Sequence, residues 1–394
     1  MSKHGKFEKK VEKKPLGWKK ILLIVLAAVL VVGGIGVAVG WNYIRGLAGL
    51  ISQAELQENE LSQEEIEAIL GQTLPPATDP VGTTEPSTEA TEATTEPTTE
   101  PTTGPTEPDY GEMGKIINIM LVGQAYREGE DSKLSDTMIL CTLNRETNTL
   151  TMTSFLRDLY IQLPTYKGMV CGENRINVCY NLGYKKAGDL GGMEMLDLLI
   201  LNNFGVEVDY NFEIDFSALS ALVNKLGGVT VTLDADEAKY LTESPHCKGE
   251  FVEGENLIWG DTALTYARMR KSSPTDNDIK RTVRQRNLIT QIIQKLVGKS
   301  WTELNEILEY ILPMVLTDMN EDEIIELAMI GVPMLMDLKI ESNQCPAEGT
   351  YWGEIVNLFG YDSGVLKCNV WQNKERLMAI CEEGKSVSEL EPIE

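Results

Sequence analysis

The chain has 394 residues and a formal net charge of -25 at pH 7, so it is long enough for two ordinary domains or for one large domain with appendages. This acidity, and the lack of aromatic residues interleaved with the basic ones, argue against a nucleic-acid partner. Two His and seven Cys, without a CxxC pair or a Cys/His cluster, argue against a structural zinc site.

The N-terminus has the pattern of a membrane anchor. Residues 1–20 carry eight Lys against two Glu, and residues 21–40 are an uninterrupted run of apolar and Gly residues. Twenty residues at helical rise span about 30 Å, the thickness of a bilayer core. With Trp41 and Tyr43 beyond the run, we predict a cytoplasmic tail (1–20), a single transmembrane helix (21–43) and an extracellular remainder. A cleaved signal peptide is the alternative, but its apolar core is usually shorter, about 7–15 residues.

Two segments of biased composition follow. Residues 44–71 are rich in acids with scattered apolar side chains, which is typical of a short helical stalk or of a solvated acidic segment. Residues 72–110 are mostly Thr, Glu and Pro and have almost nothing to bury, so we expect a disordered spacer. At about 3.1 Å per residue it would hold a following domain up to roughly 100 Å from the bilayer.

A folded domain is predicted over 112–384, followed by a tail (385–394) that should fray. Short β-branched runs predict strands at 116–122, 137–143, 149–155, 208–214 and 229–233. Amphipathic periodicity predicts helices at 176–184, 193–204, 216–226, 302–316, 321–338 and 373–382. Strands interspersed with helices indicate an α/β or α+β layered domain.

The stretch 260–286 is basic in an acidic protein. Between Leu264 and Arg286 there are seven Lys or Arg against two Asp. We predict one helix ending at Arg268, a break at Ser-Ser-Pro (272–274), and a second helix capped by Asp276 or Asn277 and running toward 299.

The spacing within this stretch favours a phosphate ligand over a plain solvated surface. Arg268 and Arg270 lie two apart, so they can share a ligand only where the backbone is extended. On the second helix, Arg281 shares a face with Arg284 and Gln285. Several guanidinium forks can then converge on one phosphate and bind it bidentately. The alternative is a helix surface with ordinary salt bridges.

Three further clusters are candidates for the same site. Asp136 precedes a strand and either ligates a divalent cation or caps a turn. Arg157 ends a strand and is either a phosphate clamp or the internal ion-pair partner of Asp158. Arg175 opens a helix, where backbone N–H groups favour anions, although a helix cap alone needs no function.

Six separated motifs occur in one order: LVGQ (121–124), SDTMIL (135–140), SFLRDLYIQLP (154–164), RIN (175–177), DF…LVNKLGGVTV (215–231) and GDTALTYARMR…D…RTVRQ, ending at Gln285. Over about 115–382 the chain thereby resembles the LytR-CpsA-Psr (LCP) family of membrane-anchored cell-wall enzymes. The resemblance implies an α/β fold, a layered α-β-α domain with a central mixed sheet and an apolar lipid cavity, preceded by one transmembrane helix and a disordered spacer.

The resemblance also implies a function. Family members transfer a polyprenyl-pyrophosphate-linked glycopolymer, of the teichoic acid or capsular polysaccharide type, to peptidoglycan. Carried over by position, Arg157, Arg268 and Arg270 would grip the pyrophosphate and Asp136 would ligate Mg²⁺, the implied cofactor. The further implied substrate-binding residues are Arg127, Arg175, Arg281, Arg284 and Gln285. The implied partners are the lipid-linked donor, the peptidoglycan acceptor and the membrane, while the oligomeric state is left open.

Two positions depart from the family pattern. Ala125 stands where the family usually has Asp, and Leu134 stands where it usually has Arg, so one metal ligand and one phosphate contact are missing. Neighbours available as substitutes are Glu128, Glu130, Asp131 and Lys133. Three hypotheses follow: a glycopolymer ligase, a catalytically weakened binder of polyprenyl phosphates or wall polymer acting as sensor or scaffold, and a surface adhesin, which leaves the arginines unexplained.

Overall fold

The structure is a computed structural model that describes residues 45–71, 113–124, 133–270, 278–297 and 299–391. The predicted tail, membrane span and spacer lie outside these residues, as do Ala125 and Arg127. Within the described ranges, every helix is too short or too polar to cross a bilayer.

A mixed seven-stranded sheet forms the centre, in the order β1-β10-β7-β2-β3-β4-β11, with three separate two-stranded pairs, β5-β6, β8-β9 and β12-β13. The described strands are β1 (Ser52–Gln53), β2 (Ile116–Gln124), β3 (Ser135–Asn144), β4 (Thr149–Phe155), β5 (Tyr160–Gln162), β6 (Glu173–Arg175), β7 (Tyr210–Asp215), β8 (Val229–Leu233), β9 (Gly254–Ile258), β10 (Val315–Thr317), β11 (Lys339–Cys345), β12 (Tyr351–Leu358) and β13 (Tyr361–Cys368). The described helices are α1 (Gln63–Leu70), α2 (Cys179–Phe204), α3 (Phe216–Lys225), α4 (Ala235–Glu243), α5 (Gly260–Arg268), α6 (Asp278–Val297), α7 (Trp301–Ile311), α8 (Glu321–Met334) and α9 (Val370–Cys381).

Helices cover both faces of the sheet. Met120, Val122 and Leu140 face α2 and α9 in one core cluster. On the other face, Phe212 and Ile214 pack with the apolar sides of α3, α5, α6 and α7 in a second cluster. The alternation of side chains along each strand places neighbouring residues in different layers, which makes the domain an α-β-α sandwich, as expected for the α/β class.

Strand direction brings the candidate residues to one edge. β2 is parallel to β7 and antiparallel to β3, while β4 is antiparallel to β3 and parallel to β11. The carboxyl ends of β2, β4, β7 and β11 therefore lie at the same edge as the start of β3. In open α/β sheets, this carboxyl edge is where ligands bind.

Most predicted elements are confirmed, and β4 and β8 have the predicted bounds. The helices predicted at 176–184 and 193–204 form one kinked element, with non-helical angles at Ala187 and Gly188. The helix predicted to reach 316 was wrong at its end, because Val315–Thr317 is strand β10. Pro313 lies just before it, and its ring and missing N–H do not suit a continuing helix.

The acidic segment after the predicted membrane span packs onto the domain. β1 pairs in parallel with β10 at the edge of the main sheet. Ile66, Ile69 and Leu70 of α1 join the core cluster of α2, and Ser62 caps α1 in a capping box with Glu65. A separate stalk was expected here, and the structure differs because the apolar face of α1 has a partner far along the chain.

The C-terminal tail also differs from the expectation of fraying. The Ser386 hydroxyl donates to Glu341 Oε1 at 2.6 Å, and the Val387 N–H donates to Glu341 Oε2 at 2.7 Å. These bonds fix the start of the tail on strand β11.

Candidate functional site

Six charged residues meet at the carboxyl edge of the sheet, and we call them the arginine site: Asp136, Arg157, Arg175, Arg270, Asp278 and Arg281. Asp136 is the second residue of β3, and Arg157 follows the end of β4 by two residues. Asp278 begins α6, and Arg270 follows the end of α5 by two residues. Residues distant in sequence are thereby brought together by the strand order.

Arg157 lies at the centre of the arginine site. Its side chain is only 6% exposed, and Nη1 donates to Asp136 Oδ1 at 3.0 Å. Its Nε lies 3.3 Å from Asp278 Oδ1 and 3.6 Å from Asp158 Oδ2. Burial alone lowers the pKa of Arg157, but the three carboxylates together raise it. The predicted phosphate clamp therefore holds carboxylates in this structure.

Arg281 and Arg270 complete the positive side of the site. Arg281 Nη2 lies 3.0 Å from Asp278 Oδ1 and donates to the backbone oxygen of Asp136 at 3.1 Å. Arg270 Nη2 lies 3.7 Å from Asp136 Oδ1. Burial, and then the charges of Arg281 and Arg157, lower the pKa of Arg270 to about 10. Burial and the two neighbouring guanidiniums thus outweigh the nearby carboxylates of Asp278 and Asp136, which raise this pKa.

Arg175 is held beside the site by the β12-β13 hairpin. Its Nη2 donates to the Gly364 carbonyl at 2.7 Å, and its Nε lies 3.7 Å from Asp158 Oδ1. The same hairpin also bonds to the segment that follows β4, because the Leu366 N–H donates to the Asp158 carbonyl at 2.9 Å.

Arg268 packs against an aromatic ring. Its guanidinium stacks 3.8 Å from the centroid of the Phe216 ring. The expected extended backbone is confirmed at Met269, where ψ is 133°. The extension directs Arg270 to Asp136, while Arg268, the last residue of α5, stays with Phe216.

Arg284 and Gln285 connect α6 to the end of α5. Arg284 Nε lies 2.7 Å from Glu237 Oε1, and Nη1 donates to the Met269 carbonyl at 2.7 Å. Gln285 Nε2 donates to the Ala267 carbonyl at 3.4 Å. Both side chains are buried and fix the backbone that carries Arg268 and Arg270.

Several buried polar atoms at this edge have no hydrogen-bond partner. They are Gln124 Nε2 and Oε1, Ser154 Oγ, Asn177 Oδ1, Asp278 Oδ1, and the Nε atoms of Arg157, Arg175 and Arg281. Leaving a buried polar atom unpaired costs about 1–3 kcal/mol, so most buried groups are paired. Their concentration at one edge indicates that this edge is built for a polar ligand.

The departures at the start of β3 are not compensated by Lys133. Leu134 packs its side chain against the main core cluster. Lys133 Nζ contacts Asp189 Oδ1 at 2.5 Å and Glu213 Oε1 at 2.9 Å, so its charge is used away from the site. The other neighbours offered as substitutes, and Arg127, lie outside the described residues.

The carboxylates fit a magnesium ion shared with phosphate. Across the described ranges no three His, Cys, Asp or Glu side chains are grouped to hold a metal by themselves. Mg²⁺, however, commonly takes only one or two carboxylates and completes its shell with water and phosphate oxygens. Asp136 accepts a hydrogen bond from Arg157 through Oδ1, and Asp278 Oδ1 is buried in ion-pair contact with Arg157 and Arg281 without a hydrogen bond.

Sequence reasoning missed two acids of this region. Asp278 forms ion pairs with Arg157 and Arg281, and Glu237 forms an ion pair with Arg284. The three-residue spacing of Asp278 and Arg281 was a readable signal, because such pairs meet on a helix. The pairing of Glu237 with Arg284 depends on the packing of α4 beside α5 and left no signal in the sequence.

The sequence model of the LytR_cpsA_psr family matches residues 82–374, well over half of the chain. The chain belongs to the LytR-CpsA-Psr family. Among curated proteins it is similar to the polyisoprenyl-teichoic acid–peptidoglycan teichoic acid transferase TagU of Bacillus anthracis, with 29% identity over 214 residues, 54% of this chain and 63% of TagU. The chain thus spans less than two thirds of that relative.

Two solved structures resemble the described fold. Protein gbs0355 of Streptococcus agalactiae superposes with a TM-score of 0.55 and 28% identity, covering 69% of this chain and 90% of that protein. TagT of B. subtilis superposes with a TM-score of 0.51 and 22% identity, covering 70% of this chain and 95% of TagT. The α/β fold with a central mixed sheet is thus shared.

The structure has surface cavities away from the arginine site. One of about 930 Å³ is lined by residues that include Arg45, Arg145 and Asp322. Another of about 400 Å³ is lined by residues that include Tyr166 and Asp197. Neither touches the arginine site, and the apolar lipid cavity of the family stays a prediction for this chain.

Proposed function

We propose that this LCP protein transfers an anionic glycopolymer from a polyprenyl pyrophosphate to peptidoglycan at the outer face of the membrane. The observation that carries the proposal is the arginine site, where four guanidiniums meet the two carboxylates of Asp136 and Asp278, with Asp158 beside them, among buried polar atoms that have no hydrogen-bond partner in the described residues. The family match and the activity named for TagU support the same reaction class.

Pyrophosphate would replace the carboxylates as the partner of the guanidiniums. Arg157 and Arg281 are buried and already oriented by Asp136 and Asp278, so little side-chain ordering remains to be done when phosphate arrives. Arg270, which is half-buried, contacts Asp136 only at 3.7 Å. Bidentate N–H···O bonds from these guanidiniums would hold the pyrophosphate at the carboxyl edge of the sheet.

Asp136, with Asp278, would hold Mg²⁺. When bound there, the ion would neutralise charge on the phosphate oxygens. Carboxylates engaged by a cation compete less for the guanidiniums, which are then available to the pyrophosphate.

In the transfer, the acceptor hydroxyl oxygen attacks the phosphorus that carries the glycan. A new O–P bond forms, the bridging P–O bond breaks, and polyprenyl phosphate leaves with the electron pair, while the hydroxyl proton passes to a carboxylate of the site. Negative charge builds up on the oxygens of the attacked phosphate, and Arg157 and Arg270, positioned before the reaction, would stabilise it.

The lipid tail would lie between the sheet and α6. Leu121, near the centre of the sheet, and Ile289 and Ile293 of α6 are only partly buried. α6 packs on the sheet face of Phe212, which pairs with Leu121 and so shares its side. Apolar side chains left partly open inside a layered domain suit an apolar ligand.

The test uses the full chain in detergent with Mg²⁺, a lipid-pyrophosphate-linked glycan and a peptidoglycan oligomer. We expect release of polyprenyl phosphate and attachment of the glycan to the oligomer, both lost in an Arg157→Ala control. Release of polyprenyl pyrophosphate would place the attack at the sugar carbon instead. No release of either lipid would contradict the transferase.

A second candidate, a binder without turnover, is favoured by the start of β3. Leu134 is packed into the core and Lys133 is tied to two acids, so neither replaces the family's Arg. Tight lipid binding without release would support this candidate. We predict that Ala125→Asp, which restores the family's carboxylate, raises the transfer rate, and an unchanged rate would count against the magnesium assignment.

A further inference from the structure

Arg286 is a buried cation that has no ion-pair partner in the part of the chain that the structure describes. It lies on α6, one residue beyond Gln285, and is 5% exposed. Its Nε and Nη1 atoms are buried and have no hydrogen-bond partner, and no carboxylate among the described residues forms an ion pair with it. The family resemblance implies no role for Arg286.

The neighbouring arginines show that this is unusual for the helix. Arg281 is paired with Asp278 at 3.0 Å, and Arg284 is paired with Glu237 at 2.7 Å. A charge removed from water without a counter-ion is strongly unfavourable, so buried charges are normally paired. Burial correspondingly lowers the pKa of Arg286 to about 10. An anion absent from the protein itself would complete this position.

The position of Arg286 relates it to both halves of a lipid head group. Asp278, Thr282 and Arg286 follow one another at intervals of four and so form one row on α6. Arg286 is about 12 Å farther along the helix axis than Asp278, and helical side chains lean back toward the N-terminus, which here is the arginine site. Ile289 and Ile293, partly buried, continue beyond it. Arg286 therefore lies where the charged part of the helix changes to its apolar part.

We propose that Arg286 binds the lipid-side phosphate of a prenyl pyrophosphate, while the arginine site binds the phosphate that carries the glycan. This assignment rests on the proposed function and adds a residue to it. It also gives the unpaired guanidinium a purpose, because the missing counter-ion is the phosphate that leaves with the lipid. A free phosphate has the same chemistry, so the experiment must separate the two sources.

The test compares the full chain in detergent with its Arg286→Met variant, using farnesyl pyrophosphate and inorganic pyrophosphate as probes. Without ligand, we expect the variant to melt about 2–4 °C higher, because an unpaired buried charge has been removed. With farnesyl pyrophosphate, its affinity should fall about 10- to 100-fold, the range of a charged hydrogen bond. The affinity for inorganic pyrophosphate should fall less, because this probe has no lipid tail to place one of its phosphates at Arg286.

Arg284→Met is the matched control, two residues away on the same helix. The substitution leaves Glu237 without its cation, so the melting temperature of this variant should fall rather than rise. Arg286→Lys keeps a charge but not the fork, and should bind farnesyl pyrophosphate with intermediate affinity. The opposite changes in melting temperature expected for Arg286→Met and Arg284→Met separate a ligand-binding arginine from a structural one.

Each failure has its own meaning. If the wild type binds farnesyl pyrophosphate and Arg286→Met binds it equally well, the assignment of Arg286 is overturned while the proposed function stands. Equal losses for both probes would indicate a site for free phosphate and overturn the lipid-side assignment. If the wild type binds neither probe, the proposed function itself fails.

Discussion

Two buried charge networks begin within three residues of each other and differ in how they are satisfied. In the first, Lys133 contacts Asp189 at 2.5 Å and Glu213 at 2.9 Å, and the Tyr180 hydroxyl donates to the other oxygen of Glu213. In the second, the arginine site, guanidiniums outnumber carboxylates and polar atoms remain unpaired. A network that serves stability has its partners inside the protein, whereas a network that serves binding lacks some of them.

The same contrast separates the roles of neighbouring residues at the start of strand β3. Lys133 precedes the strand and faces α2 through Asp189, while Asp136 inside the strand faces Arg157. Substitutions on the two sides of this short segment should therefore have separable effects on stability and on transfer.

The largest effect is expected from Arg157→Ala. The change removes the guanidinium that contacts both Asp136 and Asp278, and the transfer rate should fall about 10²- to 10³-fold, as when one preorganised donor is lost. The measurement is the rate of polyprenyl phosphate release. Arg157→Lys, which keeps the charge, should restore little because a point charge cannot replace the fork. A rate within threefold of wild type would remove Arg157 from the mechanism.

Lys133→Met should affect stability instead. Glu213 and Asp189 would be left without their cation, so the free energy of unfolding should fall by about 3 kcal/mol, the scale of breaking a buried ion pair. Chemical denaturation measures this change. The transfer rate per folded molecule should be unchanged. A lost rate with normal stability would show that Lys133 replaces the missing Arg at Leu134.

The smallest effect is expected at Asp197. Burial, then the charges of Asp318, Glu194 and Asp209, raise the pKa of this carboxyl well above its usual value, although Asn211 donates to it. The folded state therefore holds the proton more tightly than the unfolded state, and the carboxyl lowers the free energy of unfolding as pH rises from about 4 through the folded pKa.

Asp197→Asn removes this titration. At pH 7.5 the variant should be more stable than wild type, because it no longer bears the cost of ionising a buried carboxyl. Denaturation curves between pH 4 and 8 would show a flatter pH dependence for the variant. Parallel curves for the two proteins would show that Asp197 is ionised in the folded state.

The sequence predicted the fold best where local signals were sufficient. Strand β4 is a β-branched run that begins after a turn, and its bounds were predicted correctly. Strands β1 and β10 were not predicted, because each has only two or three residues and depends on pairing with strands distant in sequence, β1 with β10 and β10 with β7. Such long-range pairing is not encoded in local periodicity.

For the arginine site, the sequence supplied the residue types and the structure supplied their partners. Asp136, Arg157, Arg270 and Arg281 meet, whereas Arg268 stacks on Phe216 and Arg284 pairs with Glu237. Arg268, Arg270, Arg281 and Arg284 belong to one motif, and only packing distinguishes them. Arg286 could not be singled out at all, because an unpaired buried guanidinium is a property of the folded state.

The most direct test of the central idea is a structure of the full chain with a prenyl pyrophosphate bound. We predict phosphate oxygens within hydrogen-bond distance of Arg157 and Arg270, with the tail along Ile289 and Ile293. A head group bound at either surface cavity, with Arg157 still paired to Asp136 and Asp278, would contradict it.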